Sequence, residues 1–130
     1  MTEARVLHIG IAPRELLRKR TIAIARGELR PAPGEPRVWF SSIESVAKVL
    51  SERNMLLLDM IRRSQPKSLA ELARLSGRKV SNLSRTLHNM KRIGLVELEE
   101  VNHRKVPHVR YEHVTFDIPI GTDETPAHAA

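Results

Sequence analysis

Arginine and asparagine side chains recur along residues 76–94, SGRKVSNLSRTLHNMKRIG, at the spacing of one helical face. Residues 77–93 contain five cations and no acid, which favours a polyanionic partner. Arginine can pair bidentately with guanine O6 and N7, and asparagine with adenine N6 and N7. We therefore predict that Asn82, Arg85 and Asn89 read base edges and that Thr86 meets a thymine methyl group.

A second set of residues has the chemistry for phosphate contacts, which lysine, arginine, hydroxyl groups and helix N-termini make without reading sequence. These residues lie at the starts of two predicted helices, near the end of the second and in a basic turn: Lys67, Ser68, Lys79, Ser81, Arg92, His103, Arg104 and Lys105. For any one of them, a solvated face is an equally good interpretation. The set taken together favours nucleic acid.

Apolar residues of the same segment predict the helix that carries this surface. Val80, Leu83, Leu87 and Met90 are three or four positions apart and gather on the inner arc of a helix over about 79–93, which Gly94 ends. Three helices are predicted before it, and Trp39 is expected to pack against the first. A serine begins each of the three: Ser41 with Glu44 as a capping box, Ser51, and Ser68 with Glu71 as a second capping box.

Strand patterns flank these helices. Residues 95–100 predict the first strand of a hairpin with a basic tip at 102–105, and its second strand is predicted to begin near Val109 and Tyr111. Residues 5–11 predict a short strand that is followed by a helix over 14–26. Three prolines and a glycine within residues 30–36 predict a linker.

The order of the elements is that of a winged helix-turn-helix, in which the second helix of a pair lies in the major groove. The turn is Ser76–Lys79 and the hairpin is the wing. We expect a mainly α fold with a small β-hairpin wing, of the α+β class. It divides into an N-terminal strand-helix arm with its linker (1–36), a winged helix-turn-helix domain (37–120) and a disordered tail (121–130).

The motifs L-A-x-x-x-G, S-x-x-S-R-x-L and G-L-V, within SLAELARLSGRKVSNLSRTLHNMKRIGLVELEE, resemble winged helix-turn-helix regulators of the MarR/ArsR type. The runs HIGIAPRELLRKRTIAIARGE, VWFSSIESVAKVLSERN and YEHVTFDI are similar to predicted regulators, some encoded beside small toxin genes. This resemblance covers about residues 5–118. It implies a DNA-binding regulator or, alternatively, an antitoxin that neutralises a toxin protein and binds DNA as feedback. Arg78 departs from the pattern, because such turns usually carry an apolar residue there.

Other chemistry is disfavoured. His103, His108 and His113 are five residues apart, which places neighbours on opposite faces of a strand, so no metal site is expected. Glu97 and Glu99 lack an acid-base partner, so we expect neither an enzyme nor a cofactor. Without cysteine, disulfides and thiol catalysis are excluded. The longest apolar runs are too short to span a bilayer and the start lacks a signal peptide, so a cytoplasmic protein is expected.

The distribution of charge along the chain indicates the class of partner. The formal charge is +7 overall, and it is +4 over residues 1–40, +7 over 41–94 and −4 over 95–130. The basic middle puts nucleic acid first among the candidates, ahead of an anionic membrane or an acidic protein. A basic recognition helix beside a basic wing leads us to expect a repressor that binds double-stranded DNA and controls its own promoter. Because operators are commonly palindromic, we expect a homodimer, with the N-terminal arm as its dimerisation element. In the antitoxin alternative the arm holds the toxin.

Overall fold

The computed structural model describes residues 5–121, which form five helices and five strands. They divide into two compact units, one made of residues 5–46 and 112–121 and the other of residues 47–111. This mixture of helices with two small sheets is compatible with a winged-helix fold. Among the described residues, no helix is both long and apolar enough to cross a membrane. The predicted disordered tail lies, except for Gly121, outside the described residues.

The second unit contains three helices, α3 (Glu52–Ser64), α4 (Leu69–Ser76) and α5 (Val80–Arg92), of which α3 and α4 begin at serine caps. The Ser51 hydroxyl caps α3 by accepting from the Asn54 amide at 3.2 Å, and the Ser68 hydroxyl caps α4 by accepting from the Glu71 amide at 3.0 Å. Gly77 ends α4 at φ 73°, a conformation that favours glycine. The predicted caps at Ser51 and Ser68 are confirmed, but Glu71 accepts from the Lys67 amide and not from that of Ser68, so the capping box is only half formed.

The core of the second unit takes apolar residues from all three helices and from the start of the hairpin. Ile61, Leu72, Leu83, Leu87 and Met90 are almost completely buried. Val80 is not, because it is the first residue of α5 and remains 46% exposed. Its assignment to the inner arc was wrong: helical periodicity gives an angle around the axis but does not say how far along the helix the core extends.

The hairpin consists of β3 (Val96–Val101) and β4 (Arg104–Val109), paired antiparallel. Its turn contains only Asn102 and His103, at φ 49° and 64°, which is the conformation of a two-residue hairpin turn. The predicted basic tip is therefore shorter than expected, and Arg104 and Lys105 lie in β4. Residues beyond Val109 do not continue the hairpin.

In the first unit, a three-stranded sheet in the order β2-β1-β5 combines distant parts of the sequence: β1 (Val6–Ile11), β2 (Val38–Phe40) and β5 (His113–Asp117). Both pairings with β1 are parallel. Leu7, Ile9 and Ile11 are buried, as their period-two spacing predicts. The predicted helix follows β1 as α1 (Arg14–Ala25).

A buried ion pair also belongs to the first unit. The Arg20 guanidinium Nη2 lies 2.8 Å from Glu35 Oε1, and the two side chains are 10% and 2% exposed. Glu35 Oε2 also accepts from the Ala32 amide at 2.7 Å, so the proline-rich loop is fixed through this carboxylate. Arg20 lies 5.2 Å from the centroid of the Trp39 ring, whose atoms occupy the space above Gly10. Trp39 is thus part of β2 and of this cluster, and its packing against the first predicted helix stays a prediction.

The helix α2 (Ile43–Val49) contains the first boundary between the units, which follows Val46. The predicted capping box of Ser41 with Glu44 was wrong by one residue. Ser42 accepts from the Ser45 amide at 3.1 Å, because either of two consecutive serines can begin a helix and the pattern does not choose between them. The chain leaves the second unit after Tyr111, so the units do not follow the predicted boundaries at residues 36 and 120.

Candidate nucleic-acid interface

The outer face of α5 carries polar and cationic side chains over a buried apolar face. Leu83, Leu87 and Met90 are 0% exposed, which fixes the rotation of the helix. Ser81, Arg85, Asn89 and Arg92 are exposed on the other side. Within residues 5–121, Arg85 has neither a hydrogen bond nor an ion pair. Its guanidinium therefore keeps all of its donors for an external acceptor.

Arg78, in the turn before α5, connects two helices. Its Nη1 donates to Asn54 Oδ1 at 3.1 Å on α3. Its Nε and Nη2 donate to Asn82 Oδ1 at 2.9 and 2.7 Å, and Nη2 also reaches Thr86 Oγ1 at 3.1 Å. One guanidinium thus satisfies three side-chain oxygens on α3 and α5.

This network occupies two of the predicted base-reading residues. Asn82 needs a free Oδ1 to accept from adenine N6, and here that oxygen accepts twice from Arg78. Thr86 is half-buried and its hydroxyl also accepts from Arg78. In this arrangement Asn82 and Thr86 hold Arg78 in place, and Arg85 and Asn89 remain the predicted base readers on the exposed face.

Positive charge is concentrated around this network. Partial burial and, after it, the nearby charge of Arg53 lower the pKa of Arg78 from its ordinary value, although Arg78 stays protonated at neutral pH. Arg53, exposed on α3, has no acidic partner within residues 5–121. Two neighbouring guanidinium groups without a carboxylate make a favourable position for an anion.

Asn89 and Arg92 form a second contact on the outer face of α5. Arg92 Nη2 donates to Asn89 Oδ1 at 2.8 Å. Asn89 Oδ1 keeps its second lone pair and the amide nitrogen keeps both hydrogens, so Asn89 can still pair bidentately with adenine. Arg92 keeps its other donors, which can reach a phosphate while the contact persists.

The residues predicted to contact phosphates at the helix starts differ in whether their side chains are already hydrogen-bonded within the protein. Lys67 and Lys79 are exposed, and Lys79 is the N-cap of α5 without a side-chain cap. The Ser68 hydroxyl accepts from the Glu71 amide, so only its own hydrogen remains to be donated. Glu71 in turn accepts from the Lys67 amide at 3.2 Å. The first turn of α4 therefore already has an anion at its N-terminus.

On the wing, His103, Arg104 and Lys105 are exposed. Lys105 Nζ lies 3.2 Å from His88 Nε2, and His88 Nδ1 lies 2.6 Å from the Ser84 carbonyl oxygen. The two contacts are compatible with a neutral imidazole that donates from Nδ1 and accepts at Nε2. His88 thus links the wing to α5 and places the Lys105 ammonium beside that helix.

Two of the three acids of β3, Glu97 and Glu99, have side-chain partners on β4 or at the residue that follows it. Glu97 Oε2 accepts from Arg110 Nε at 3.0 Å, and Glu99 Oε2 lies 3.0 Å from His108 Nε2. Both pairs are exposed. The Arg110 pair offsets one charge of the acidic strand next to the cationic surface.

Sequence patterns missed Arg53, Arg78 and His88. Asn82 and Thr86 are four residues apart on one side of α5, and Arg78 lies four residues before Asn82 in the preceding turn, a spacing that could have identified part of the network. The bond to Asn54 and the proximity of Arg53 follow from tertiary packing. The Lys105 contact to His88 depends on the position of the wing.

The part of the chain that forms the candidate interface matches a known protein family. The sequence matches the family HVO_A0114 over residues 49–116, just over half of the chain. The chain belongs to the HVO_A0114 family. The matched segment includes α3, α4, α5 and both strands of the wing.

Two further comparisons complete this result. No curated protein matches the sequence. A crystal structure of the predicted DNA-binding transcriptional regulator from E. coli resembles this member of the family with a TM-score of 0.45 and 21% identity, over 74% of this chain and 85% of that chain. A likeness of this degree does not establish a shared function.

Proposed function

We propose that the protein is a sequence-specific, double-stranded DNA-binding transcriptional regulator that places α5 in the major groove. The observation that carries the proposal is the state of Arg85. It is exposed, has no partner within residues 5–121, and lies on a helix that buries Leu83, Leu87 and Met90 on its opposite face. An unpaired guanidinium on an outward helix face suits bidentate contact with guanine.

The proposal divides the surrounding residues between base and phosphate contacts. Arg85 and Asn89 face base edges. The phosphates are contacted by cations and hydroxyls around α5, on α4 and on the wing: Arg53, Lys67, Ser68, Arg78, Lys79, Ser81, Arg92, His103, Arg104 and Lys105. Asn82 and Thr86 orient Arg78 toward the backbone. In this function the protein binds and does not catalyse, and no cofactor or metal takes part.

We further propose that the protein acts in the cytoplasm as a homodimeric repressor of its own promoter. A two-fold dimer presents two copies of α5 to the two halves of a palindromic operator. The antitoxin alternative stays a prediction from the family resemblance, and no contact among the described residues favours it.

The test uses a duplex that the protein selects from a random library, and fluorescence anisotropy as the measure of affinity. Arg85→Ala should weaken binding to the selected site by about 1–3 kcal/mol and flatten the preference for one base pair. Binding of random DNA should change little. The reason is that a base contact contributes to specificity, whereas phosphate contacts contribute to all sequences alike.

Arg18→Ala is the matched control, since Arg18 is an exposed arginine on α1. It removes the same charge and should leave the preference for the selected site unchanged. If Arg85→Ala bound specific and random DNA like the unmodified protein, α5 would not be the reading helix.

A further inference from the structure

The outer edge of β5 is an open strand edge within the part of the chain that the structure describes. In the sheet β2-β1-β5, β1 occupies one side of β5, and no strand among residues 5–121 pairs with the other side. His113, Thr115 and Phe116 are exposed, and Phe116 is 49% accessible. An exposed edge strand is a template for pairing with another strand unless lysine, proline or a bulge protects it, and β5 contains no lysine and no proline.

The strand is already held in an extended conformation. Leu7 to Gly10 of β1 align with Val114 to Asp117 in parallel register, and the Glu112 and His113 amides both donate to the Arg5 carbonyl oxygen, at 2.8 and 3.2 Å. His8 Nδ1 lies 2.7 Å from Thr115 Oγ1. A partner strand therefore meets an ordered edge and pays little further conformational entropy.

We propose that β5 pairs antiparallel with β5 of a second copy of this chain, around a two-fold axis beside Thr115. The two sheets then form one six-stranded sheet in which the two β5 strands are the central pair. In this register all five residues of each strand overlap. His113 lies opposite Asp117 of the second copy, Val114 opposite Phe116, and Thr115 opposite Thr115.

The side chains of β5 are self-complementary in this register. His113 and Asp117 are equally distant from Thr115, so the two-fold axis produces two imidazole-carboxylate pairs. Asp117 is half-buried, yet neither it nor His113 has a side-chain hydrogen bond or an ion pair within residues 5–121. An imidazole can donate to a carboxylate in either protonation state. Val114 with Phe116 is a β-branched and aromatic pair, a favourable cross-strand combination.

These features favour a second copy over an unrelated strand. An isologous interface requires that one surface complement itself, and β5 has its unlike polar groups at symmetric positions and its apolar residues between them. The His113 amide donates to the Arg5 carbonyl oxygen, so by alternation the backbone groups of Val114 and Phe116 lie on the open edge. The register centred on Thr115 places these two residues directly opposite each other, where they can exchange their backbone hydrogen bonds.

The inference rests on the dimer of the proposed function but not on DNA, so it is tested without DNA. The natural sequence has no cysteine, which means that a single introduced cysteine can form a disulfide only between two chains. Directly opposed residues of antiparallel strands have Cα atoms about 4.5 or 5.5 Å apart, and disulfides need about 4.4–6.8 Å. Thr115→Cys of the full chain should form a covalent dimer in a mild thiol redox buffer, measured on non-reducing gels.

Thr21→Cys, at another exposed threonine of the same unit, is the matched control and should stay monomeric on the same gel. The second measurement is the dimer dissociation constant by sedimentation equilibrium. His113→Glu places two carboxylates opposite each other twice in the dimer and should raise this constant on the order of tenfold. Adding Asp117→Lys should restore it, because the charges are then exchanged across the same pairs. Thr21→Glu adds the same negative charge away from the edge and should change nothing.

A wild-type chain that stays monomeric at high micromolar concentration would overturn the inference, and would leave the edge to a strand of another protein. So would a dimer that is unaffected by His113→Glu, or Thr115→Cys chains that fail to cross-link while their circular dichroism matches wild type. Arg85→Ala should dimerise normally. A wild-type chain that dimerises but shows no preference among DNA sequences would therefore count against the proposed function alone.

Discussion

At the scale of single residues, Arg78 has the largest effect on how the candidate interface is interpreted. Its guanidinium joins Asn54, Asn82 and Thr86, and its pKa is lowered by partial burial and by Arg53. Two residues that the sequence marks as base readers therefore serve as its supports. A side chain that is fixed by three acceptors is presented to a phosphate with little loss of rotamer entropy.

Arg78→Ala should lower the free energy of unfolding by about 1–2 kcal/mol, because Asn54, Asn82 and Thr86 lose a charged donor but can rebind water at this partly exposed site. The variant should also weaken binding to specific and random DNA alike. Urea unfolding and anisotropy measure the two effects. Arg74→Ala, at an exposed arginine of α4, is the control for charge. Equal stability of the Arg78 and Arg74 variants would contradict the bridging role.

Glu35 is the second residue with a specific prediction. Glu35→Ala leaves the Arg20 guanidinium buried without its carboxylate, which should destabilise the protein by about 3–5 kcal/mol. Trp39 is the one tryptophan of the chain and belongs to this cluster, so its fluorescence reports the transition in urea. Replacing both partners, by Arg20→Met with Glu35→Leu, should recover most of the loss, since no unpaired charge remains. A cost below about 1 kcal/mol for Glu35→Ala would show that water reaches Arg20.

Residue types alone predicted part of this. The burial of one face of α5 and the exposure of Arg85 follow from the spacing of apolar residues at the helical period. The pairing of Arg20 with Glu35 does not, because fifteen positions and a proline-rich loop separate them and only the folded loop brings them together. Likewise, Arg78 donates to Asn54 on α3, although the two residues are 24 positions apart in the sequence and α4 lies between them.

At the scale of elements, α5 shows why local signals were sufficient. Its apolar residues recur at the helical period, Gly94 ends it at φ 80°, and the structure gives Val80–Arg92 for a predicted 79–93. The strands show the opposite. Period-two alternation identifies a strand but not its partner, so residues beyond Val109 were assigned to the hairpin although β5 pairs with β1.

Leu87→Ala tests the buried face of α5. Leu87 is 0% exposed, so truncation should remove about 2–5 kcal/mol through lost burial and the cavity that remains. Val80→Ala is the matched control on the same helix. Because Val80 is 46% exposed, its truncation should cost well under 1 kcal/mol. Thermal unfolding followed by circular dichroism compares them, and similar costs would mean that α5 is packed in another rotation.

At the scale of the whole molecule, the two units separate two kinds of surface. Residues 47–111 contain every residue proposed to touch DNA, and the unit of residues 5–46 and 112–121 contains the open edge of β5. The prolines of residues 30–36 correctly indicate a loop. They cannot indicate that the chain returns to the first unit after Tyr111, because that return depends on hydrogen bonds between strands about a hundred residues apart in sequence.

The dependence of DNA affinity on salt concentration shows how many copies of the chain contact the DNA. Each phosphate that a protein neutralises contributes about −0.9 to the slope of log affinity against log salt. Lys105 is exposed on the wing. If one chain binds the DNA, Lys105→Ala should therefore reduce the magnitude of this slope by about 0.9. A dimer on a palindromic site loses this contact twice, so the expected reduction is about 1.8. Anisotropy titrations over a series of salt concentrations measure it, with Arg18→Ala as the variant whose slope should match wild type. A reduction near 0.9 would mean that a single wing reaches the backbone, and an unchanged slope would remove Lys105 from the interface.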